Sequence, residues 1–210
     1  MLAMSERLQT MVHRSNRVAG AFNNDINRRM RHQGTFDFGS AQTMPRHIQH
    51  IIDASPEFAA KVEAEGGWKI RIKAAEMFAE YPELYFVYFL DSRGRAYPLT
   101  YGVNPQGSDL QKALLQFAHG KPLLDDDAKR WFMIHGANKW GFDKAALADR
   151  ANWVRQRHQL ILDMAADPIA NRDWETCDNP LQFLAWAFEY AEWQRLGDDF
   201  ESRIAVSMDG

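Results

Sequence analysis

Apolar positions recur along most of this chain at helical spacing, and the interruptions fall at Gly, Pro and short polar clusters. Between residues 5 and 31, Leu8, Met11, Val18, Phe22 and Ile26 repeat at near-helical intervals and predict one or two amphipathic helices. Residues 34–40 break that pattern and predict a loop. Ser55-Pro56-Glu57-Phe58 reads as a helix start, Ser55 as cap and Pro56 in the first turn, and Gly66-Gly67 interrupts the helical pattern. Beyond the break Ile70, Ala74, Met77 and Phe78 make the predicted apolar stripe of another helix, with Lys69, Arg71 and Lys73 on its other faces. Ser108 is read as the cap of a helix in which Leu110, Leu114 and Phe117 face one way, ended by Gly120-Lys121-Pro122. Further helices are predicted over residues 125–140, 145–166 and 181–195, the last so apolar that most of its faces are buried.

Strand patterns are few. Residues 85–90, aromatic and branched, predict a strand; Asp91-Ser92-Arg93-Gly94-Arg95 predicts a tight turn; residues 96–101 lead away as a second strand. At the chain's end Ile204, Val206 and Met208 alternate with Arg203, Ala205 and Ser207, which predicts a strand with one buried face that carries Asp209 and Gly210 at its tip. The expected fold class is mostly α, with an α+β carboxyl end, and the expected division is a helical amino-terminal part, residues 1–67, followed by residues 68–210.

A chain of 210 residues with 46% hydrophobic content suffices for a packed core. The net charge of −3 hides an asymmetry, because residues 1–50 hold seven Arg against the acids Glu6, Asp25 and Asp37, a distribution compatible with a phosphate-facing surface. Cys177 is the only cysteine, which excludes an intramolecular disulfide and a multi-cysteine zinc site. No stretch has the length of a membrane span and the first residues lack a signal-peptide core, so the expectation is a soluble, cytoplasmic protein without membrane contact.

Candidate chemistry is sparse. His47 and His50 stand three apart without an obvious third ligand, and read as surface histidines. Asp125, Asp126 and Asp127 open a helix, where negative charge offsets the helix dipole, and His135 reads as a packing residue. Arg93 and Arg95 around Gly94 suit contact with phosphate; an Arg93–Asp91 ion pair that merely stiffens the turn accounts for the same residues, and chemistry alone leaves the two level. Asp209 could hold a divalent metal, although one carboxylate is a poor magnesium site without a second. There is no Gly-rich phosphate loop, Gly-x-Ser-x-Gly elbow or Cys–His nucleophile pair.

Taken in order, Asp91-Ser92-Arg93-Gly94-Arg95-Ala96-Tyr97, Asn104-Pro105-Gln106-Gly107-Ser108-Asp109, Gly120-Lys121-Pro122, Ile134-His135-Gly136-Ala137-Asn138, Phe183-Leu184-Ala185 with Phe188-Glu189-Tyr190, and Asp209-Gly210 resemble the single-subunit, bacteriophage-type DNA-directed RNA polymerases. The run extends from about Trp68 to the last residue. The resemblance implies an Arg-bearing hairpin, supporting helices and the first strand of a polymerase palm. It makes Asp209 the first catalytic carboxylate and a magnesium ligand, with the Gly210 carbonyl beside the same ion. It places Arg93, Arg95 and Tyr97 against the template strand and the young RNA–DNA hybrid, which tips the hairpin towards nucleic-acid contact. The implied reaction is two-magnesium nucleotidyl transfer from nucleoside triphosphates onto RNA on a DNA template, without an obligate protein partner. The family's nucleotide-binding helix and second carboxylate follow the first carboxylate in sequence. The expectation is therefore an internal stretch of such an enzyme, inactive in isolation; the alternative is a non-catalytic nucleic-acid-binding module derived from one.

Overall fold

The structure, a computed structural model, describes residues 41–43, 48–64, 66–93, 95–100 and 102–206. The helices predicted over residues 5–31, the loop at 34–40, His47, Gly94, and Asp209 with Gly210 lie outside the described residues. After strand β1 (Ala41–Thr43), helix α1 (Ile48–Asp53) buries Ile48, Ile51 and Ile52 at helical spacing. Helix α2 (Pro56–Ala64) starts as its sequence predicts, with the Oγ of buried Ser55 accepting the Phe58 N–H at 3.2 Å. Gly66 and Gly67 come next at φ of 73° and 65°, backbone that glycine adopts without a Cβ penalty.

Helix α3 (Trp68–Ala79) corrects the predicted stripe. It buries Trp68, Ile72 and Ala75, while Ile70 is 55% and Met77 63% exposed. Both sets obey the helical period. The indole of Trp68 has more apolar area to remove from water than either Ile70 or Met77, and it fixes the phase. Strands β2 (Tyr88–Leu90) and β3 (Ala96–Pro98) form the predicted antiparallel hairpin, shorter than expected, with Phe89 opposite Tyr97.

Ser108 caps helix α4 (Asp109–Ala113) through a reciprocal capping box with Gln111, but the helix lasts five residues. The chain then becomes strand β4 (Leu115–Pro122), so Phe117 and Lys121 sit in a strand rather than a helix and its end. β4 is the middle of a three-stranded antiparallel sheet, ordered β1, β4 and then β5 (Glu201–Ile204). Its partners lie far away in sequence, and their ladder hydrogen bonds override a locally helical pattern.

Helix α5 (Asp126–Trp140) has the Asp125 carboxylate on the Ala128 N–H at 2.7 Å, and Gly141 closes it at φ 107°. The helix predicted over residues 145–166 is two, α6 (Leu147–Gln156) and α7 (His158–Ala166). They meet at Arg157, whose guanidinium lies 4.5 Å from the Trp153 ring centroid. A 3₁₀ turn, Asp173–Thr176, buries Trp174.

Helix α8 (Pro180–Leu196) is the beam of the fold: Leu181 through Ala187, Glu189 and Tyr190 are all buried. Trp186 lies 5.7 Å from Phe132, 5.4 Å from Phe183 and 5.1 Å from Tyr190, centroid to centroid. One core runs from Ile48 through these rings to Phe200, and residues of α1 and α2 belong to it. Strand β5 ends at Ile204, and Val206 is 53% exposed, so the predicted buried face stops short of Val206. Among the described residues no helix is long and apolar enough to cross a membrane.

Candidate nucleic-acid interface

The hairpin is ordered by one carboxylate. Asp91 Oδ1 accepts the backbone N–H of Arg93 at 2.8 Å and of Arg95 at 2.9 Å, and the Asp91 N–H donates to the Arg95 carbonyl at 3.0 Å. This Asx-type closure holds the chain tight through the turn. Asp91 Oδ2 receives Arg93 Nε and Nη2, both at 3.2 Å. The N–H of Arg95 first, then the groups of Arg93, hold the Asp91 carboxyl below the usual carboxylate range. The ion pair anticipated as the bland account of Arg93 is therefore present. It does not withdraw the side chain, which remains 66% exposed and also interacts with Tyr97 on β3. Arg95 is exposed, and its guanidinium has no partner among the described residues. Arg93, Arg95 and Tyr97 are thus brought together on one small element.

A second layer of polar contacts fastens this element to the core. Gln106 Nε2 donates to the Ala96 carbonyl of β3 at 2.9 Å, from a turn in which the Asn104 side chain accepts the Gln106 N–H at 2.8 Å. Gln111 Nε2 donates to the Gly102 carbonyl at 2.7 Å, and Arg71 Nη1 of α3 to Ser108 Oγ at 3.2 Å. Asp109 then reaches across to α8: its Oδ2 accepts the Leu181 N–H at 2.7 Å, and its Oδ1 accepts the Gln182 N–H at 3.1 Å and Gln182 Nε2 at 3.0 Å. Gln182 Oε1 in turn accepts Lys139 Nζ at 2.8 Å. Burial, and next the neighbouring Lys112, lower the Lys139 pKa, against the opposing pull of Asp109.

Further along α8, past its middle, the buried carboxylate of Glu189 accepts Ser202 Oγ at 2.7 Å and the Arg203 N–H at 3.2 and 3.3 Å, which ties β5 to the same helix. One buried helix therefore carries the hairpin, through Asp109, and the strand that leads towards Asp209, through Glu189. His135 is half-buried on α5, its pKa lowered to about 4 by burial and then by Lys139, which favours the neutral ring at pH 7 and a packing role. Burial likewise raises the Cys177 thiol, which removes it as a nucleophile.

The family model for DNA-dependent RNA polymerase matches residues 122–210. T7 RNA polymerase of Escherichia phage T7 is 37% identical over 139 residues, 66% of this chain and 16% of that protein. A stretch of that length cannot miss the hairpin at the middle of the chain. The chain belongs to the family of the single-subunit DNA-directed RNA polymerases. The DNA-directed RNA polymerase of Enterobacteria phage T3 is 36% identical over 151 residues, 72% of this chain and 17% of that protein. A mitochondrial DNA-directed RNA polymerase, from Schizosaccharomyces pombe, is 38% identical over 131 residues, 61% of this chain and 11% of that protein. The chain spans about a sixth of the length of the two phage polymerases.

Sequence reasoning gave no role to Gln106, Asp109 or Glu189, although all three stand inside the motifs it singled out. Asp109 follows the cap Ser108 and reads locally as one more first-turn acid. Its partners on α8 are 72 and 73 residues away, and no local pattern reports them. Glu189 offered a signal, being the only acid in the apolar run from Leu181 to Ala191.

Proposed function

We propose that this chain forms the Arg-bearing hairpin and the start of the palm of an RNA polymerase, serving template-dependent RNA synthesis from nucleoside triphosphates. The observation that carries the proposal is the hairpin geometry. Asp91 binds the backbone donors of the turn, which leaves the exposed Arg95 guanidinium and the exposed part of Arg93 open to phosphate. Tyr97 supplies an aromatic and hydroxyl surface beside them. Phosphate contacts of this kind fix a nucleic acid's position without reading its sequence, which suits a channel that must accept any template.

Asp209, with the Gly210 carbonyl, is the proposed magnesium site, and both lie outside the described residues. Among the described residues no three His, Cys, Asp or Glu side chains come together to hold a metal ion. A divalent ion at Asp209 would supply charge stabilisation for the attacking and leaving oxygens of the transferred phosphate. What the described residues contribute is placement: Asp109 and Glu189 set the hairpin and β5 on the two halves of α8.

Binding of a fluorescent RNA–DNA hybrid to the chain, measured against salt, tests the interface. Arg93→Ala/Arg95→Ala is expected to weaken binding and to reduce the log–log salt slope by about 2, one for each phosphate that no longer meets a guanidinium. An unchanged slope with unchanged affinity would remove the hairpin from the interface.

A further inference from the structure

Glu189 is a carboxylate only 3% exposed, in the middle of the largely buried helix α8, and the polymerase reading gives it no chemistry. Its surroundings explain why it is retained. The register of β4 against β5 breaks between Gln116, which lies opposite Ile204, and Lys121, which lies opposite Ser202. Five residue steps along β4 are thus matched to two along β5. The Arg203 N–H falls inside this irregular stretch, and Glu189 receives it at 3.2 and 3.3 Å. Ser202 Oγ donates to Glu189 Oε2 at 2.7 Å and accepts the Ile204 N–H at 3.3 Å, so the carboxylate holds Ser202 and Arg203 directly and Ile204 through the Ser202 hydroxyl.

Bulged pairing is where a strand's register is least specified by its ladder, and a slip of one residue sends every following side chain to the opposite face. A short strand such as β5 has few ladder bonds to resist slipping. We infer that Glu189 is a positioning residue that pins the register of β5 on α8, and thereby decides which side chains of Glu201–Ile204 face the core. The pin itself is independent of the polymerase reading.

Cross-strand disulfides read the register directly, and Cys177, buried with its thiol pKa raised, stays out of the oxidation. Pro122→Cys/Glu201→Cys joins residues that lie opposite each other and reports the native register. Lys121→Cys/Glu201→Cys and Leu123→Cys/Glu201→Cys report a slip of one residue in either direction. With Glu189 in place the native pair should oxidise and the slipped pairs should not. Glu189→Ala should lower the native-to-slipped ratio about tenfold, the scale of losing hydrogen bonds to a charged group. Glu189→Gln, whose amide oxygen can still accept from Arg203, should restore it to within about twofold.

A Glu189→Ala chain that loses thermal stability but keeps the wild-type ratio would make Glu189 a mere core residue and overturn the proposal. So would a Gln variant that slips as far as the Ala variant. Should Glu189→Ala fail to fold by circular dichroism, Ser202→Ala, which keeps the carboxylate and removes one donor, is expected to lower the ratio about threefold, and an unchanged ratio there also overturns the pin. Failure of the polymerase reading would appear instead in hybrid binding, which these disulfides do not measure.

Discussion

Replacing Asp109 by Ala removes the carboxylate that closes the amino-terminal end of α8. The side chain holds the N–H groups of Leu181 and Gln182 together with the Gln182 amide, all within 3.1 Å. Leu181 and Gln182 are buried, so water cannot replace the lost acceptor. A buried donor left unpaired costs about 1–3 kcal/mol, and removal of a capping side chain costs about 1 kcal/mol in its own right. For two stranded N–H groups, partly relieved by local repacking, the expected loss is about 3 kcal/mol. Asp109→Asn keeps one oxygen and loses the charge, and is expected to cost about half as much. Urea unfolding monitored by tryptophan fluorescence suits the measurement, because Trp174 and Trp186 are fully buried, and equal m-values would certify that the same transition is compared. An Ala variant that loses less than about 1 kcal/mol would refute the view that Asp109 locks the hairpin layer to α8. An Asn variant as damaging as Ala would refute the charge-assisted part of it.

Gly136→Ala should destabilise the chain by about 2–3 kcal/mol in the same assay, because the new Cβ would lie 2.3 Å from ring atoms of Trp186, whose indole N–H is already committed to the Phe132 carbonyl. The helix-propensity gain of about 1 kcal/mol for Ala over Gly is the competing effect, and net stabilisation would show that the ring can retreat. For His135, the folded pKa of about 4 lies below the ordinary 6.5, so as pH falls the unfolded chain takes up the proton first. Stability should be insensitive to this residue above pH 6.5 and should fall between 6.5 and 4, by up to about 3 kcal/mol. Urea midpoints at pH 7 and 4.5 for wild type and His135→Gln check the sign, and parallel pH slopes in the two proteins would contradict it.

Caps and turns were legible because their chemistry is local. Ser55, Ser108, Asp125 and the Asp91 turn each act within four residues of themselves, and the structure realises all four. The buried character of α8 could be read from its composition alone. What escaped was set at a distance. The phase of α3 was decided by burial of Trp68 and Ile72, β4 by strands lying about 75 residues before it and 85 after it, and Asp109 by partners on α8. The break at Arg157 has neither Gly nor Pro to announce it. The proposed interface residues Arg93, Arg95 and Tyr97 were named from their motif, and the structure sets them on the one hairpin. The supports Gln106, Asp109 and Glu189 were not, since a polar residue's partner on another element leaves no periodic trace in its own.

The most direct test of the polymerase reading is primer extension by a polymerase that carries this sequence, with template binding measured in parallel. Asp209→Asn should abolish extension of an RNA primer on a DNA template with Mg²⁺, while affinity for the template stays close to that of the unsubstituted enzyme, because the hairpin and its mounting on α8 are untouched. Extension at an undiminished rate would contradict the assignment of Asp209. Loss of template binding together with extension would contradict the separation of the hairpin's role from that of the terminal strand.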